Sequence, residues 1–544
     1  MAPGTRDEGV PGAAEGRKGL RGAVDGYLLG VAAISAGLAA FLLLRLHALP
    51  PHEDETLVFF VSHGSFTDML GTVLGERGGA PLHYLLAWLA GLVDPGLTSL
   101  RLISVAFAVA SMPVIAALVA RLSDRRTALV ATLLAAASWT TLYHGIYARM
   151  YSLFLFTAVL SLLLLLRALA HGSRGRWAAW VAATLALVAT QPYGVLVLAA
   201  EVVFVSVQRL RGPLPLRRPL VALAAVLVLA TPLWRTYALL ASRFDVGVGV
   251  GSSELGSPFD VVRYLGEVFG DFTAGRLVAG IPAALLGTVG LVVLARRRPE
   301  TAILTGIVAG VPALALLAAG SGPGVSLETR HLIFLLPFVT MAIAAGVLRI
   351  GSAAGRAGPG VVATLLGFLL ASQVVWGIDR TRWLYTGEPA ERADARVEAA
   401  RWLAESARAD DVLFGYEPTY LDAWDEGAPY GAIFVPRADS RLAVEALEDA
   451  GEPLGRGVWV LDASDYVDVA EARLTIPEAS PGPAFETAAF GPFLVVRTVD
   501  PTITPATFLQ ATLEVQALAA ELGIGDAGRN AQTADEALAR LGAG

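Results

Sequence analysis

The chain has 544 residues, 55% of them hydrophobic and 16% charged, where an ordinary soluble domain carries roughly 25% charged residues. A formal net charge of −7 argues against a nucleic-acid partner, and the absence of cysteine excludes disulfides, thiolate nucleophiles and thiolate-bound zinc. Apolar runs near 20 residues, the length of a membrane-spanning helix, recur from Gly22 to Ile378 and stop at about Asp379.

In chain order, residues 1–24 are rich in Gly, Ala and Pro and are expected to be disordered. The first apolar run, Asp25 to Leu46, follows Arg17, Lys18 and Arg21. It exceeds the roughly 7–15-residue core of a cleavable signal and reads as a retained span. About eleven spans are predicted, at 25–46, 99–120, 128–146, 150–169, 177–190, 193–208, 219–240, 276–295, 300–319, 331–349 and 360–378. One further stretch, "PLHYLLAWLAGLV" (Pro81 to Val93), is too short: at about 1.5 Å per residue it covers some 20 Å of a roughly 30 Å core. It is expected to dip into the outer leaflet. The clusters Arg121/Arg125/Arg126, Arg167/Arg174/Arg176, Arg209/Arg211/Arg217/Arg218, Arg296/Arg297/Arg298 and Arg349/Arg356 then share one side with the N-terminus. The positive-inside rule makes that side the cytoplasm of a multi-pass plasma-membrane protein. The first outer loop, 47–98, the loop 241–275 and the tail 379–544 fall outside.

The tail changes texture. Short apolar segments beginning at Asp411, "GAIFVP" and "GVWVLDAS", alternate with helical patterns such as "SRLAVEALEDAG". "FETAAFGPFLVVRTV" reads as a hairpin turning at Gly491-Pro492, and Pro505 to Leu522 as a helix. This predicts a small extracytoplasmic α/β domain that recognises an acceptor or packs on the outer face. Asp462 and Asp465 form a weak acid pair, in the wrong compartment for a nucleotide sugar.

The chemistry gathers at "HEDETLVF", residues 52–59, just past the first span. Asp54 and Glu55 could cap the surface helix that follows, and Glu53 reads as a solvated neighbour. Arg101, Arg149, Arg235 and Arg330 mark the outer ends of spans, and His52, His63, His83 and His331 fall on the same side. Charges that end spans around a common cavity are functional candidates, although arginines there also snorkel to headgroups. Trp139, Tyr143, Tyr147 and Tyr151 read as an interfacial aromatic belt. A carboxylate beside cations suits one reaction: the carboxylate takes the proton of an acceptor hydroxyl, which attacks a sugar whose leaving group is a lipid phosphate held by the cations. Whether His52, Asp54 and Glu55 also hold a divalent metal is left open.

Asp54-Glu55 after the first span, "APLHYLL" (Ala80 to Leu86), "SLRLISVAFAV" (Ser99 to Val109), "YARMYSLFLF" (Tyr147 to Phe156) and "TRHLIFLLPF" (Thr329 to Phe338) together resemble the GT-C-fold membrane glycosyltransferases of the protein-mannosyltransferase and aminoarabinose-transferase-like superfamily. The resemblance covers most of residues 25–378 and implies a GT-C-like catalytic domain. It implies Asp54 as general base and Glu55 as a residue that positions the acceptor or a metal. Arg149, Arg330, His331 and Tyr147 would bind the donor phosphate, and His52, His83, Tyr84, Gln191, Tyr193 and Arg101 would line the donor or acceptor pocket. Ala80-Pro81 stands where the family often has Pro-Pro, and Gln191 where relatives often carry His. The implied reaction is inverting transfer of a monosaccharide, mannose or arabinose, from a polyprenyl-phosphate donor to a hydroxyl of a cell-envelope glycan, lipid or protein. The competing readings are a glycolipid transporter or flippase and a non-catalytic membrane scaffold. Transporters tend to show repeats and mid-span acids, and here Glu201 is the lone mid-span acid.

Overall fold

In the computed structural model, residues 15–244, 257–273, 275, 277–319, 328–429, 433–464 and 475–542 are described. Among them, seven helices are long and apolar enough to cross a membrane, or up to nine if two bent pairs each count as one span. Two of the eleven expected spans, at 177–190 and 193–208, are helices of 17 and 18 residues that fall outside this set. The first helix, Glu15–Leu44, starts ten residues before its expected span and shortens the expected disordered segment; residues 1–14 are outside the described set. The short apolar stretch is an 11-residue helix, Pro81–Gly91, and is not a candidate span.

Both bends have local causes. Arg125–Ala137 and Trp139–Ile146 meet at 56° across Ser138, which is extended at φ −61, ψ 135 and donates to the Asp271 carbonyl. Arg217–Leu229 and Thr231–Ala241 meet at 57°. There Pro232 lacks the N–H that would continue the helical ladder, and the Thr231 hydroxyl donates to the Val228 carbonyl instead. The first bend sends Tyr147 and Arg149 off the end of the bundle toward the loop that carries Asp54.

The bundle core packs side chains such as Leu42, Met112, Ile115, Leu162 and Phe334, all fully or almost fully buried. Its tightest helix contact depends on glycine. A Cβ on Gly290 would lie 1.8 Å from the Ala342 carbonyl oxygen, and one on Gly346 would lie 2.0 Å from that of Leu286. Close backbone approach of this kind is how helices associate in a bilayer.

The tail is a five-stranded sheet with β1 (Val412–Phe414), β2 (Ile433–Val435), β3 (Gly457–Asp462), β4 (Phe485–Phe490) and β5 (Phe493–Thr498) in the order β2-β1-β3-β5-β4. β1 pairs parallel with β2 and β3, and β5 pairs antiparallel with β3 and β4. Strand side chains alternate between faces, and here both faces are covered. Val458, Val460, Phe493 and Val495 pack toward helices Ala390–Ser406 and Pro418–Asp425, while Trp459, Leu461, Leu494 and Val496 pack toward Pro505–Glu521. Beyond the expected helix lies one more, Ala527–Leu541.

The tail sits against the Asp54 end of the bundle. Phe60 packs on Phe434 with ring centroids 4.3 Å apart, and Arg77 donates to the Tyr416 hydroxyl at 2.9 Å. Glu53, read as a solvated neighbour, instead accepts from Arg437 at 2.6 Å, and Arg437 also pairs with Glu417. The loop 241–275 carries a helix, Pro258–Thr273, and residues 245–256 of the same loop lie outside the described residues.

Candidate active site

Asp54 sits in the first turn of the helix Glu53–His63. His52 caps that helix: its Nδ1 accepts from the Asp54 N–H at 3.0 Å, and Glu55 Oε2 accepts from the His52 N–H at 3.1 Å. This reciprocal cap satisfies donors that a helix start leaves unpaired and holds two adjacent carboxylates in opposite settings.

Glu55 is fully buried. Its Oε1 accepts from Arg101 Nε at 3.0 Å and from the Ala148 N–H at 2.7 Å, and its Oε2 accepts from Arg101 Nη2 at 2.7 Å. Arg101 spends its remaining donors on the carbonyls of Leu46, Leu49 and Pro50. Four bonds to protein groups leave Glu55 no lone pair for an acceptor or a metal. The expected positioning role is therefore corrected: Glu55 and Arg101 form a closed structural pair that ties the end of the first helix to the Tyr147–Arg149 segment. Ser104, one turn along from Arg101, donates to the Tyr147 carbonyl at 2.7 Å and pins the same segment. Sequence reasoning missed Ser104, although the Arg-x-x-Ser spacing puts both residues on one helix face.

Asp54 faces the other way, with its side chain 27% exposed. Its Oδ2 accepts from the Tyr147 hydroxyl at 2.8 Å, with Arg149 Nε at 3.6 Å and Arg330 Nη2 at 4.0 Å. Burial on its own would raise the proton affinity of this carboxyl. Arg149, then His52, Arg330 and the Tyr147 hydrogen bond outweigh it and hold Asp54 well below the usual carboxylate range. Neither arginine closes a tight pair with Asp54. The Nε atoms of Arg149 and Arg330 are buried with no hydrogen-bond partner among the described residues. Buried guanidinium N–H groups without acceptors are costly, so the pocket is poised for an anion with several oxygens.

A second carboxylate, also missed in the sequence, braces this pocket. Glu328 Oε1 accepts from Arg330 Nη2 at 2.5 Å, and the Glu328 N–H donates to His331 Nδ1 at 3.1 Å. Arg330 lies 4.9 Å over the Tyr151 ring, and His331 stacks on Tyr193 at 4.6 Å. Tyr147 and Tyr151 thus line the site and are not members of a lipid-facing belt. His83 and Tyr84 are buried on Pro81–Gly91, with His83 close enough to Arg149 to feel its charge. Gln191 is buried, and its carbonyl accepts from Tyr237; no contact places its side chain on Asp54. Arg235 is exposed, and among the described residues no ion pair joins it to Asp54. His63 packs between Phe59 and Trp424. Asp462, the tail acid, pairs with Arg392 at 2.6 Å as part of the domain's own framework, and Asp465 lies outside the described residues. Among the described residues no three His, Asp or Glu side chains group as a metal would require. With Glu55 consumed by Arg101, the set His52, Asp54 and Glu55 does not fit one.

Several known proteins share this architecture. The profile of the dolichyl-phosphate-mannose-protein mannosyltransferase family matches residues 79–235. A search of the curated proteins found no match. The crystal structure of ArnT from Cupriavidus metallidurans in the apo state aligns over 88% of this chain and 98% of its own, with a TM-score of 0.52 and 15% identity. Its form bound to undecaprenyl phosphate aligns over 87% and 98%, with a TM-score of 0.54 and 14% identity. The apo oligosaccharyltransferase of Archaeoglobus fulgidus aligns over 80% of this chain and 70% of its own, with a TM-score of 0.51 and 13% identity. The chain has the GT-C fold. In this GT-C chain the Asp54 cluster lies where the helix Glu53–His63, the segment after the bent helix pair and the 3-10 turn Thr329–Leu335 meet the tail domain.

Proposed function

We propose that this GT-C chain is a membrane glycosyltransferase that moves a monosaccharide from a polyprenyl-phosphate donor to a hydroxyl of an extracytoplasmic acceptor, with inversion. The observation that carries the reading is the Asp54 carboxylate set against two arginines whose Nε–H groups lack acceptors. The fold shared with an undecaprenyl-phosphate-bound ArnT supports a lipid-phosphate donor. The mannosyltransferase profile over 79–235 favours mannose, and the ArnT likeness keeps an arabinose-type sugar in view.

The donor phosphate bridges Arg149 and Arg330 and occupies their free N–H groups. Its negative charge competes with Asp54 for both guanidiniums. The carboxylate, held strongly ionised in the free protein, gains proton affinity when it is needed as a base. The acceptor hydroxyl gives its proton to Asp54, its oxygen forms the new bond to the anomeric carbon, and the bond from that carbon to the phosphate oxygen breaks. The departing lipid phosphate takes the electron pair, and the arginines stabilise the added charge. A phosphate leaves without protonation, so a single carboxylate suffices. Tyr147, donating to Asp54, fixes the carboxylate's rotamer. The N-terminus lies in the cytoplasm and the site and tail outside, as the arginine distribution indicates.

The test incubates purified protein with radiolabelled polyprenyl-phosphate mannose or arabinose and an envelope extract. Label transferred by the parent and lost in Asp54→Asn supports the reading. No turnover of any lipid-linked sugar, or full activity in Asp54→Asn, removes it. Catalysed lipid exchange between leaflets without transfer would favour a flippase.

A further inference from the structure

At the opposite end of the bundle lies a second cavity, of about 810 Å³, which the proposed reaction does not use. Helix Leu336–Ala353 begins beside Arg330 and runs 18 residues to reach it, about 27 Å at ~1.5 Å per residue. The cavity and Asp54 are therefore separated by roughly a bilayer core of about 30 Å. Its walls come from the Ser123–Thr127 turn, the C-terminal ends of Leu277–Arg297 and Leu336–Ala353, and the start of Gly358–Arg380.

Four guanidinium groups, Arg126, Arg297, Arg298 and Arg349, line this cavity against one carboxylate, Asp124. Asp124 is already committed to capping: it accepts from the Arg126 and Thr127 N–H groups at 2.9 and 3.0 Å and from the Thr127 hydroxyl at 2.8 Å. Among the described residues none of the four arginines makes an ion pair, and all four are exposed. Arg126 sits in the first turn of its helix, where the helix dipole disfavours a cation. Its neighbour Arg125 turns away and lies 5.6 Å over Tyr27. Other arginines at this end are used differently: Arg121 donates to the Leu166 carbonyl and Arg218 to that of Gly172. Apolar side chains, Val293, Leu294, Val362 and Leu366 among them, line the cavity beside the arginines, together with Ser123, Thr127 and Ser352.

Topology requires only that arginines stand on the inner side. It does not require them to converge from three helices on one cavity with an apolar floor. We propose that this cavity binds an anionic phospholipid of the surrounding leaflet, with its phosphate on Arg126, Arg297, Arg298 and Arg349 and an acyl chain along Val293, Leu294, Val362 and Leu366. The position, at the ends of spans where headgroups lie, fits a bilayer lipid. The site is separate from the donor site, and its test does not depend on the enzyme reading.

The full chain, purified in neutral detergent, is titrated with phosphatidylglycerol and with phosphatidylcholine of the same acyl chains, and adducts are counted by native mass spectrometry. One phosphatidylglycerol is expected to bind at least tenfold tighter than phosphatidylcholine. The variant R297Q/R298Q/R349Q is expected to bind it roughly a hundredfold more weakly. The control R209Q/R211Q, with arginines at the same end but outside the cavity, should bind like the parent. Should the triple variant unfold, R126Q alone is expected to weaken binding about fivefold. Equal affinity for the two lipids, unchanged binding in both R297Q/R298Q/R349Q and R126Q, or equal loss in the control would overturn the proposal. So would displacement of the lipid by equimolar inorganic phosphate, which would mark a free-anion site.

Discussion

The buried pair of Glu55 and Arg101 allows structure and chemistry to be separated at adjacent residues. In Glu55→Gln, one carboxylate oxygen becomes an amide nitrogen. The four N–H groups now sharing two oxygens, from Arg101 twice, Ala148 and His52, would share one, and the new amide would face donors. The Arg101 guanidinium would lose its buried counter-charge while still donating to the carbonyls of Leu46, Leu49 and Pro50. Removing one partner of a buried pair costs about 3–5 kcal/mol. Asp54→Asn, by contrast, keeps an oxygen to accept from the Tyr147 hydroxyl and removes a partly exposed charge whose arginine contacts are 3.6 and 4.0 Å, a smaller loss than that of a closed and fully buried pair. Tryptophan-fluorescence melting of detergent-solubilised protein should therefore place Glu55→Gln and Arg101→Gln well below the parent and Asp54→Asn between them and the parent. The double variant E55Q/R101Q should lose less than the sum of the singles, because no charge is left stranded. A Glu55→Gln protein that melts with the parent but fails only in turnover would refute this reasoning and return Glu55 to the chemistry.

Asp54→Asn should lower sugar transfer by about 10²–10⁴-fold, the usual contribution of a general base, without weakening donor binding; retained turnover would exclude it as the base. Arg149→Gln and Arg330→Gln should each weaken binding of polyprenyl phosphate by about 10–100-fold, measured by lipid titration. The same changes remove a cause of the depressed Asp54 pKa. The acid limb of the free enzyme's activity profile, below the usual carboxylate range in the parent, should move up toward about pH 4, and an unmoved limb would show that Asp54 does not set it. In the tail, burial pushes Glu417 up to about 7 against the opposing pull of Arg437, with Glu53 and Asp462 adding to the rise. The folded form thus binds a proton that the unfolded form has lost above its ordinary value near 4.5. Stability from this group is complete below pH 4.5 and falls as pH rises toward 7. Glu417→Gln should flatten that slope in a series of melts, and an identical slope would show that another group is responsible.

Much of this site was legible because a bilayer constrains a sequence so strongly. Charged residues at span ends are few, and Asp54, Arg149 and Arg330 stand out in apolar surroundings without any knowledge of their contacts. The side chains that complete the pocket were hidden for identifiable reasons. Glu328 lies beside Arg330 and looks like any loop acid until its carboxylate is seen to accept from that guanidinium. Tyr147 and Tyr151 have the composition of an aromatic belt, and only the bend at Ser138 turns the chain so that Tyr147 reaches Asp54. Glu53 and Arg437 are 384 positions apart, a separation across which no local pattern operates.

Local chemistry by itself determined the membrane class, the short helix Pro81–Gly91 and the alternation of strands and helices in the tail. Those follow from hydrophobic run length and side-chain period, which neighbouring residues set. Tertiary structure alone decided which of two adjacent acids faces a groove. Consecutive residues on a helix point about 100° apart, so one carboxylate closes on Arg101 while the other opens toward Arg149 and Arg330. That choice depends on what packs against each face, and the partners come from helices distant in the chain.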